Sequence, residues 1–536
     1  MSAPTSDVGA RGLLTVVLHA HLPFIRHPEY RYHLEENWLY EACAATYLPL
    51  LDAFQRLQRE GVRFRVTMSM SPPLLAMLQD GLLRNRTRLS LERLVRLGDQ
   101  ELQRTSGEMH QLARFYRERF GRLLELYDDL DGDLVAAYRE LADAGVLELI
   151  TVGGTHGFQP TLREPAARRA QIRVAVDAHK AAFGRAPRGI WLPECGYAPG
   201  VDELLADHGI EYFFVDSHGI ENAAPRPPHG PAAPVVLPSG VVAFARDAES
   251  SRQVWSADEG YPGDPVYRDF YRDIGFDLPL SVIGDFVHPD GIRVHTGFKY
   301  HRVTGKVDLA DKLPYDPARA AARVVEHAAD FLAKREAETA RLGDSLGIRP
   351  LMVAPYDAEL YGHWWFEGPA FLESLLRQTA AKHGTVSTAT PSEVLRELSP
   401  YPVDTVSPSS WGDGGYSAVW VDPSNDWIYR HQHHAERRMV ELARDHKATR
   451  DPVLERALTQ AARELLLLQS SDWAFILKGG TAMGYATSRV KAHVARFARL
   501  EREICAGPEH IDQSWLSDLE RRDNLFPDLD FRVYAQ

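Results

Sequence analysis

The chain has 536 residues, more than one hydrophobic core ordinarily serves, so one large domain with attachments is the expected layout. Hydrophobic residues make up 44% and charged residues 25%, the balance of an ordinary globular protein. Lys plus Arg is 61 against 74 Asp plus Glu, and the resulting net charge of −13 argues against nucleic acid as a partner, because phosphates need neutralising.

The three cysteines, Cys43, Cys195 and Cys505, show no CxxC spacing, which excludes a disulfide framework or a zinc ribbon and fits a reducing compartment. The apolar run at 13–18 is too short for a signal segment, and no stretch reaches membrane-spanning length. A cytoplasmic protein with no membrane partner is expected.

Residues 1–12 read as a disordered lead-in. The continuous apolar run 13–18 reads as a strand buried on both faces, ended by His19-Ala20-His21-Leu22-Pro23. Residues 35–57 carry apolar positions at helical spacing, 64–70 read as a second strand, and Pro72-Pro73 opens a helix. A charge-rich helical stretch spans 88–146. Further strands are expected at 147–152, 189–193, 212–216, 241–245 and 350–354, with helices at 164–183, 316–342 and 369–383. A loop-rich excursion covers about 218–306. Strands alternate with helices seven or eight times up to residue 390, which means a parallel sheet with right-handed crossovers. Residues 391–430 are loop-rich and aromatic. From about 405 on, the pattern becomes that of a helical domain packed over the barrel mouth.

Polar residues recur just after strands: His19, His21, His156, Glu194 and Asp357. That recurrence suits a closed α/β barrel with one active face. A doubly wound open sheet is the alternative, although no G-x-G-x-x-G follows the first strand. In Trp191-Leu192-Pro193-Glu194-Cys195-Gly196-Tyr197, a short strand stops at a carboxylate. His19 and His21 share one strand face, a spacing that serves a metal ion, a sugar hydroxyl or a structural pair equally. Gly153-Gly154-Thr155-His156-Gly157 lets backbone approach a neighbour closely, and no Lys-Ser/Thr follows to make it a phosphate loop.

Asp357 ends another apolar strand, with Glu359 as a second acid and His363-Trp364-Trp365 close behind. Trp411 and Trp420, on a polar glycine-rich loop, suit a stacking platform for flat apolar sugar faces. Asp472, beside Trp473 in an apolar helical stretch, is expected to face a polar cleft, since a buried unpaired Asp is costly. His431, His433 and His434 read as a solvated helix start. Two carboxylates at different strand ends are the minimum for glycosidic chemistry.

Five motifs closely resemble glycoside hydrolase family 57, the group of α-amylase-like and glucan-branching enzymes. They are His19-Ala20-His21-Leu22-Pro23, Gly154-Thr155-His156-Gly157-Phe158, the stretch Trp191 to Tyr197, the stretch Ala354 to Trp365, and Ser471-Asp472-Trp473. The resemblance implies an incomplete (β/α)7 barrel over residues 1–404, with a small insertion at about 218–306, and a C-terminal all-α domain over 405–536 that contributes to the substrate cleft. It implies a retaining double displacement with Glu194 as nucleophile and Asp357 as general acid/base, their carboxyl groups about 5–5.5 Å apart. His19, His21 and His156 would line the donor side. Trp191, Trp364, Trp411, Trp420, Asp472 and Trp473 would hold an α-1,4-glucan. No metal or other cofactor is implied.

Branching members carry a tyrosine on a mobile loop, and Tyr261 in the stretch 245–264 matches it best. A closed lid would exclude water and let a sugar hydroxyl accept the glycosyl group. Lys299-Tyr300-His301-Arg302, where some branching members have Trp, and His27-Pro28-Glu29-Tyr30 look more like members named α-amylase. The expected activity is 1,4-α-glucan branching. The alternatives are an α-amylase or 4-α-glucanotransferase, a metal-dependent polysaccharide deacetylase built on His19 and His21, and a non-catalytic glucan-binding protein.

Overall fold

The computed structural model describes residues 10–256, 259–382 and 384–535. Most of the predicted lead-in (1–9), and His383 at the expected helix end, lie outside them.

Ten strands form one sheet: β1 (Gly12–Ala20), β2 (Val66–Met70), β3 (Leu147–Val152), β4 (Gly189–Trp191), β5 (Tyr212–Val215), β6 (Val235–Val236), β7 (Val242–Ala245), β8 (Leu351–Asp357), β9 (Val386–Thr388) and β10 (Tyr401–Pro402). Seven of them run side by side in parallel, in the order β8-β1-β2-β3-β4-β5-β7. β6 pairs antiparallel with β7, β10 extends that edge, and β9 joins β1 at Gly12 to Leu14. The two ends of the order, β10 and β8, are not paired with each other, so the barrel is incomplete as expected.

Every residue of β1 is buried, which is what its unbroken apolar sequence requires of a strand covered on both faces. Two strands run further than their apolar cores suggest. β1 continues through His19 and Ala20, and β8 continues through Pro355 to Asp357. Pro355 lacks a donor, but β8 ends the hydrogen-bonded order, and an edge strand tolerates that loss.

The stretch 88–146 resolves into helices Gly81–Arg104, Gly107–Asp129 and Leu134–Asp143. The expected helix at 35–57 is broken by a π-helical turn, Cys43–Tyr47. Gly362 explains why that turn matters. Its φ is +116°, and a Cβ there would meet Ala45 O at 1.8 Å, so only glycine lets the chain after Asp357 pass the turn.

Helices Trp427–Asp445, Pro452–Leu468, Ser471–Gly479, Met483–Ala506 and Gln513–Arg522 make up the C-terminal part. One apolar cluster runs along the sheet, taking in Trp191, Tyr212 and Phe244, and into these helices, and a second packs on the other face of β4, β5 and β7 through Ile190, Phe213 and Ala243. No helix among the described residues is long and apolar enough to cross a membrane.

Candidate active site

Parallel pairing brings the C-terminal strand ends to one face. In register, His19 on β1 lies opposite Ser69 on β2 and Asp357 on β8. Beyond β3 and β4 the chain turns sharply: His156 and Glu194 both have φ of 61°, and Cys195 has 50°. Left-handed backbone in such residues costs of order 1–3 kcal/mol each and persists where surrounding contacts enforce it. Those contacts come from later in the chain. The backbone N–H of Trp411 donates to Glu194 O at 2.8 Å, and that of Ser471 donates to His156 O at 3.0 Å.

The Glu194 carboxylate is held at both oxygens. Trp411 Nε1 donates to Oε2 at 2.7 Å, and Ser471 Oγ donates to Oε1 at 3.3 Å. Ser471 Oγ has one proton, so with that proton on Glu194 it accepts from His156 Nδ1 at 2.7 Å. His156 Nε2 then accepts from His19 Nε2 at 2.9 Å, and His19 Nδ1 accepts from Ser69 Oγ at 2.8 Å. The chain Ser69–His19–His156–Ser471–Glu194 therefore has every donor aimed toward the carboxylate. Burial, and next the charge of a neighbouring histidine, push both His19 and His156 well below the usual range, which keeps both rings neutral, as this pattern needs.

His21 forms a second branch. Nδ1 meets Ser71 Oγ at 2.8 Å, and Nε2 donates to Asp472 Oδ2 at 3.0 Å. Burial pushes the Asp472 carboxyl up, but the His21 charge and hydrogen bond outweigh it and hold it at about 2. Asp472 is thus paired, which offsets the cost of burying its charge.

Asp357 differs from Glu194 in its surroundings. None of the described residues donates a side-chain hydrogen bond to it. Burial pushes it up to about 7 against the charges of His21 and Arg246. Burial also pushes Glu194 up to about 8, with Asp357 and Asp472 adding repulsion, while Trp411 and Ser471 act the other way. The two carboxyls interact, so near neutrality they share protons as a pair. An indole N–H can only donate, and two donors on Glu194 against none on Asp357 set the negative charge on Glu194. Glu359 is raised to about 8, first by burial and then by Asp357. It accepts from Tyr47 and from the backbone of His21.

His21, His156 and Asp472 lie close enough to surround a cation, but their nitrogens and oxygens already pair with each other and with Ser71, Ser470 and Ser471. The His21 and His156 rings stack at 3.7 Å and 6°. Glu464, His493 and Asp523 form a second group, beside Arg489 and Arg496, whose charges oppose a cation.

Several expected glucan contacts are corrected. Trp191 is fully buried, with His19 stacked on it at 5.1 Å and Trp411 edge-on at 5.0 Å, so it supports the site from beneath. Trp420 is 2% exposed and packs on Phe158. Trp473 is 1% exposed and donates to Leu467 O. Trp411 is nearly buried and faces Glu194 rather than forming an open platform. The loop is polar in sequence because glycines carry its turns, while its indoles fill apolar space. Trp364 alone among these indoles is exposed, at 54%, with Phe270 stacked on it at 4.4 Å.

Tyr261 is also corrected. Its hydroxyl donates to Asp330 at 2.7 Å, and its ring packs on His327 and Phe371, so it is buried against helices Pro317–Leu346 and Gly368–Ala381 instead of covering Glu194.

Four functional neighbours escaped the sequence reading. Ser471 sits inside a quoted motif, but nothing local marks it as the bridge to Glu194. Ser69 and Ser71 flank the end of β2, two residues apart like His19 and His21, and that matched period was the available signal. Arg246 follows β7, bonds Asp216 and Ser251, and stands over the Trp411 ring at 5.6 Å.

Residues 15–407 match the family model described as glycosyl hydrolase family 57, and residues 431–534 match that of the 1,4-alpha-glucan branching enzyme C-terminal region. A 1,4-alpha-glucan branching enzyme of Thermococcus kodakarensis is 35% identical over 96% of this chain and 77% of its own length. A probable 1,4-alpha-glucan branching enzyme of Mycobacterium tuberculosis is 31% identical over 98% and 99%. Among solved structures, the alpha-amylase AmyC from Thermotoga maritima superposes with a TM-score of 0.92 at 44% identity, covering 98% of this chain and 99% of its own. The family 57 branching enzyme from Pyrococcus horikoshii superposes at 0.88 with 34% identity, over 98% and 97%. By sequence model, relatives and fold, the chain belongs to glycosyl hydrolase family 57.

Proposed function

We propose that the protein is a 1,4-α-glucan branching enzyme, which cleaves an α-1,4 bond and rejoins the released chain through an α-1,6 bond. The observation that carries this reading is the match of residues 431–534 to the branching-enzyme C-terminal region, together with relatives of that name at 35% and 31% identity. The same C-terminal part supplies Ser471 and Asp472 to the pocket.

Glu194, ionised, attacks the anomeric carbon of the donor glucan, and Asp357, protonated, gives its proton to the departing O4. The α-1,4 bond breaks and a glycosyl ester forms on Glu194. Asp357, now a carboxylate, takes the proton from the O6 hydroxyl of an acceptor chain. That oxygen attacks, the ester breaks, and net retention gives an α-1,6 bond. Trp411 and Ser471 hold Glu194 in its charged form and orientation. Neutral His19 and His156, with His21 fixed by Asp472, form a stacked wall on the donor side of the pocket. A catalytic barrel over 1–404, a helical domain over 405–536 and a cytoplasmic location belong to the same reading. The three cysteines, all free, support that location.

An α-amylase reading is favoured by two observations: the 44% identity to AmyC, and the burial of Tyr261 away from Glu194. Proton NMR of amylose after treatment separates the two. New α-1,6 anomeric signal with little gain in reducing ends is expected. Reducing ends without α-1,6 signal would sink the branching claim.

A further inference from the structure

Beside the barrel, between helices Asn37–Ala42, Gly81–Arg104 and Gly107–Asp129 and the insertion, lies a cavity of about 70 Å³. Four cations face it: Arg93, Arg119, Arg268 and Lys299. None of the three arginines is ion-paired with a carboxylate among the described residues. Arg119 Nη2 and Arg268 Nε are buried without a hydrogen-bond partner, and Arg268 is only 8% exposed. Both guanidinium groups lie over the Phe366 ring, at 4.6 and 4.0 Å. Arg268 Nη1 donates to Gly297 O, but two desolvated cations sharing one aromatic ring, with no carboxylate in ion-pair contact among the described residues, are costly.

The acids nearby are engaged elsewhere: Glu367 interacts electrostatically with Arg268, but its hydrogen bonds come from the Arg268 backbone N–H and the Tyr315 hydroxyl, and burial pushes its carboxyl up. Asp273 is engaged by Lys299 at 3.6 Å and by backbone N–H groups of Gly275, Thr296 and Gly297. Glu41 is the remaining carboxyl on the lining, and burial pushes it up to about 8, so it is uncharged at neutral pH. The volume admits a few waters or one tetrahedral oxyanion. At the edge, Phe270 lines the cavity and stacks under exposed Trp364, a surface on which a sugar ring attached to that anion could rest.

We propose that this cavity is a second ligand site, distinct from the Glu194 pocket, that binds a phosphate dianion, free or carried on a sugar, through Arg119 and Arg268, with Lys299, whose ammonium already donates to Phe270 O and His295 Nδ1, adding positive charge beside them. None of these three residues contacts Glu194 or Asp357, so the failure of this site would leave the branching reading intact.

Isothermal titration of the full chain in a chloride buffer tests it, with inorganic phosphate, glucose 1-phosphate and maltotriose as separate probes. Saturable phosphate binding is expected, weakened about tenfold or more in Arg119→Gln and in Arg268→Gln, since each removes a charged hydrogen bond. Glu41→Gln should bind phosphate as the parent does. Tighter binding of glucose 1-phosphate, lost in Trp364→Ala, identifies a sugar phosphate, and equal binding identifies free phosphate. No heat with either phosphate in the unaltered protein, or unchanged affinity in folded Arg variants, would overturn the proposal, while maltotriose heat reports the Glu194 pocket. If a Gln variant fails to fold, Arg119→Lys and Arg268→Lys, which keep the charge and lose the planar donor fork, give the same comparison.

Discussion

Trp411 holds Glu194 at both ends: its indole N–H donates to the carboxylate at 2.7 Å and its backbone N–H to the main-chain carbonyl at 2.8 Å. The two residues are 217 positions apart in the chain. One tryptophan thus stabilises both the left-handed backbone and the charge of the same glutamate. Trp411→Phe keeps the ring but removes the side-chain donor. A hydrogen bond to a charged group is worth about 1.5–3 kcal/mol, so kcat/KM should fall roughly 10- to 100-fold. Glu194 should also become harder to ionise, which moves the acid limb of the kcat/KM profile to higher pH and narrows the optimum. An unmoved acid limb would mean that the indole only packs.

The assigned roles of Glu194 and Asp357 separate under rescue. Glu194→Ala and Asp357→Ala should each lose at least about 10³-fold activity on amylose, since each removes a group that the reaction uses directly. With an aryl α-glucoside, whose leaving group needs no proton, the first step survives in Asp357→Ala. Added azide should then form the α-glycosyl azide, the retained product. In Glu194→Ala azide would arrive from the opposite face and give the β product. The anomeric coupling constant of the azide product reads the assignment directly.

Much of the frame was legible in the chain. Seven parallel strands follow from their mainly apolar runs, and His19, His156, Glu194 and Asp357 all leave strand ends on one face. The tryptophans were not legible. A polar, glycine-rich stretch such as 411–416 reads as open loop, whereas Trp411 and Trp420 bury their rings in apolar space supplied by Trp191 and Phe158. That space is made by strands and helices far away in sequence, and local composition cannot report it. Ser471 escaped for the same reason, because its partners lie 315 and 277 residues away.

Ser471→Ala removes the hydroxyl that joins His156 to Glu194. Its long 3.3 Å contact to Glu194 suggests a smaller effect than that of Trp411, about 10-fold in kcat with KM nearly unchanged. Ser471→Thr restores a hydroxyl and should recover part of the loss. A matching loss in both variants would point to packing of the helix Ser471–Gly479 instead.

Tyr261 gives a prediction with the opposite sign to that of a lid. Its hydroxyl serves Asp330, and its ring packs on His327 and Phe371. Tyr261→Phe should cost stability by about 0.5–1.5 kcal/mol and leave the ratio of α-1,6 transfer to hydrolysis unchanged. A shift toward reducing ends, measured beside the NMR signal of new branches, would show that this segment moves over Glu194 during turnover.

Glu359 links the site to the pH dependence of stability. Burial first, and then repulsion from Asp357, raise its pKa to about 8, while the unfolded chain has an ordinary glutamate value near 4.3. The folded state therefore binds the extra proton, and the stability conferred by the neutral carboxyl is complete below about pH 4. It is lost as pH climbs from there through about 8, because the unfolded carboxylate ionises freely and the buried one does not. Glu359→Gln mimics the neutral acid and keeps an acceptor for Tyr47 and for the His21 backbone. Relative to the unaltered chain, it should gain of order 1–3 kcal/mol of stability at pH 8 over its standing at pH 4. Denaturant titrations at the two pH values measure that difference, and a variant that loses ground as pH rises would reverse the sign and show that the ionised carboxylate is the stable form.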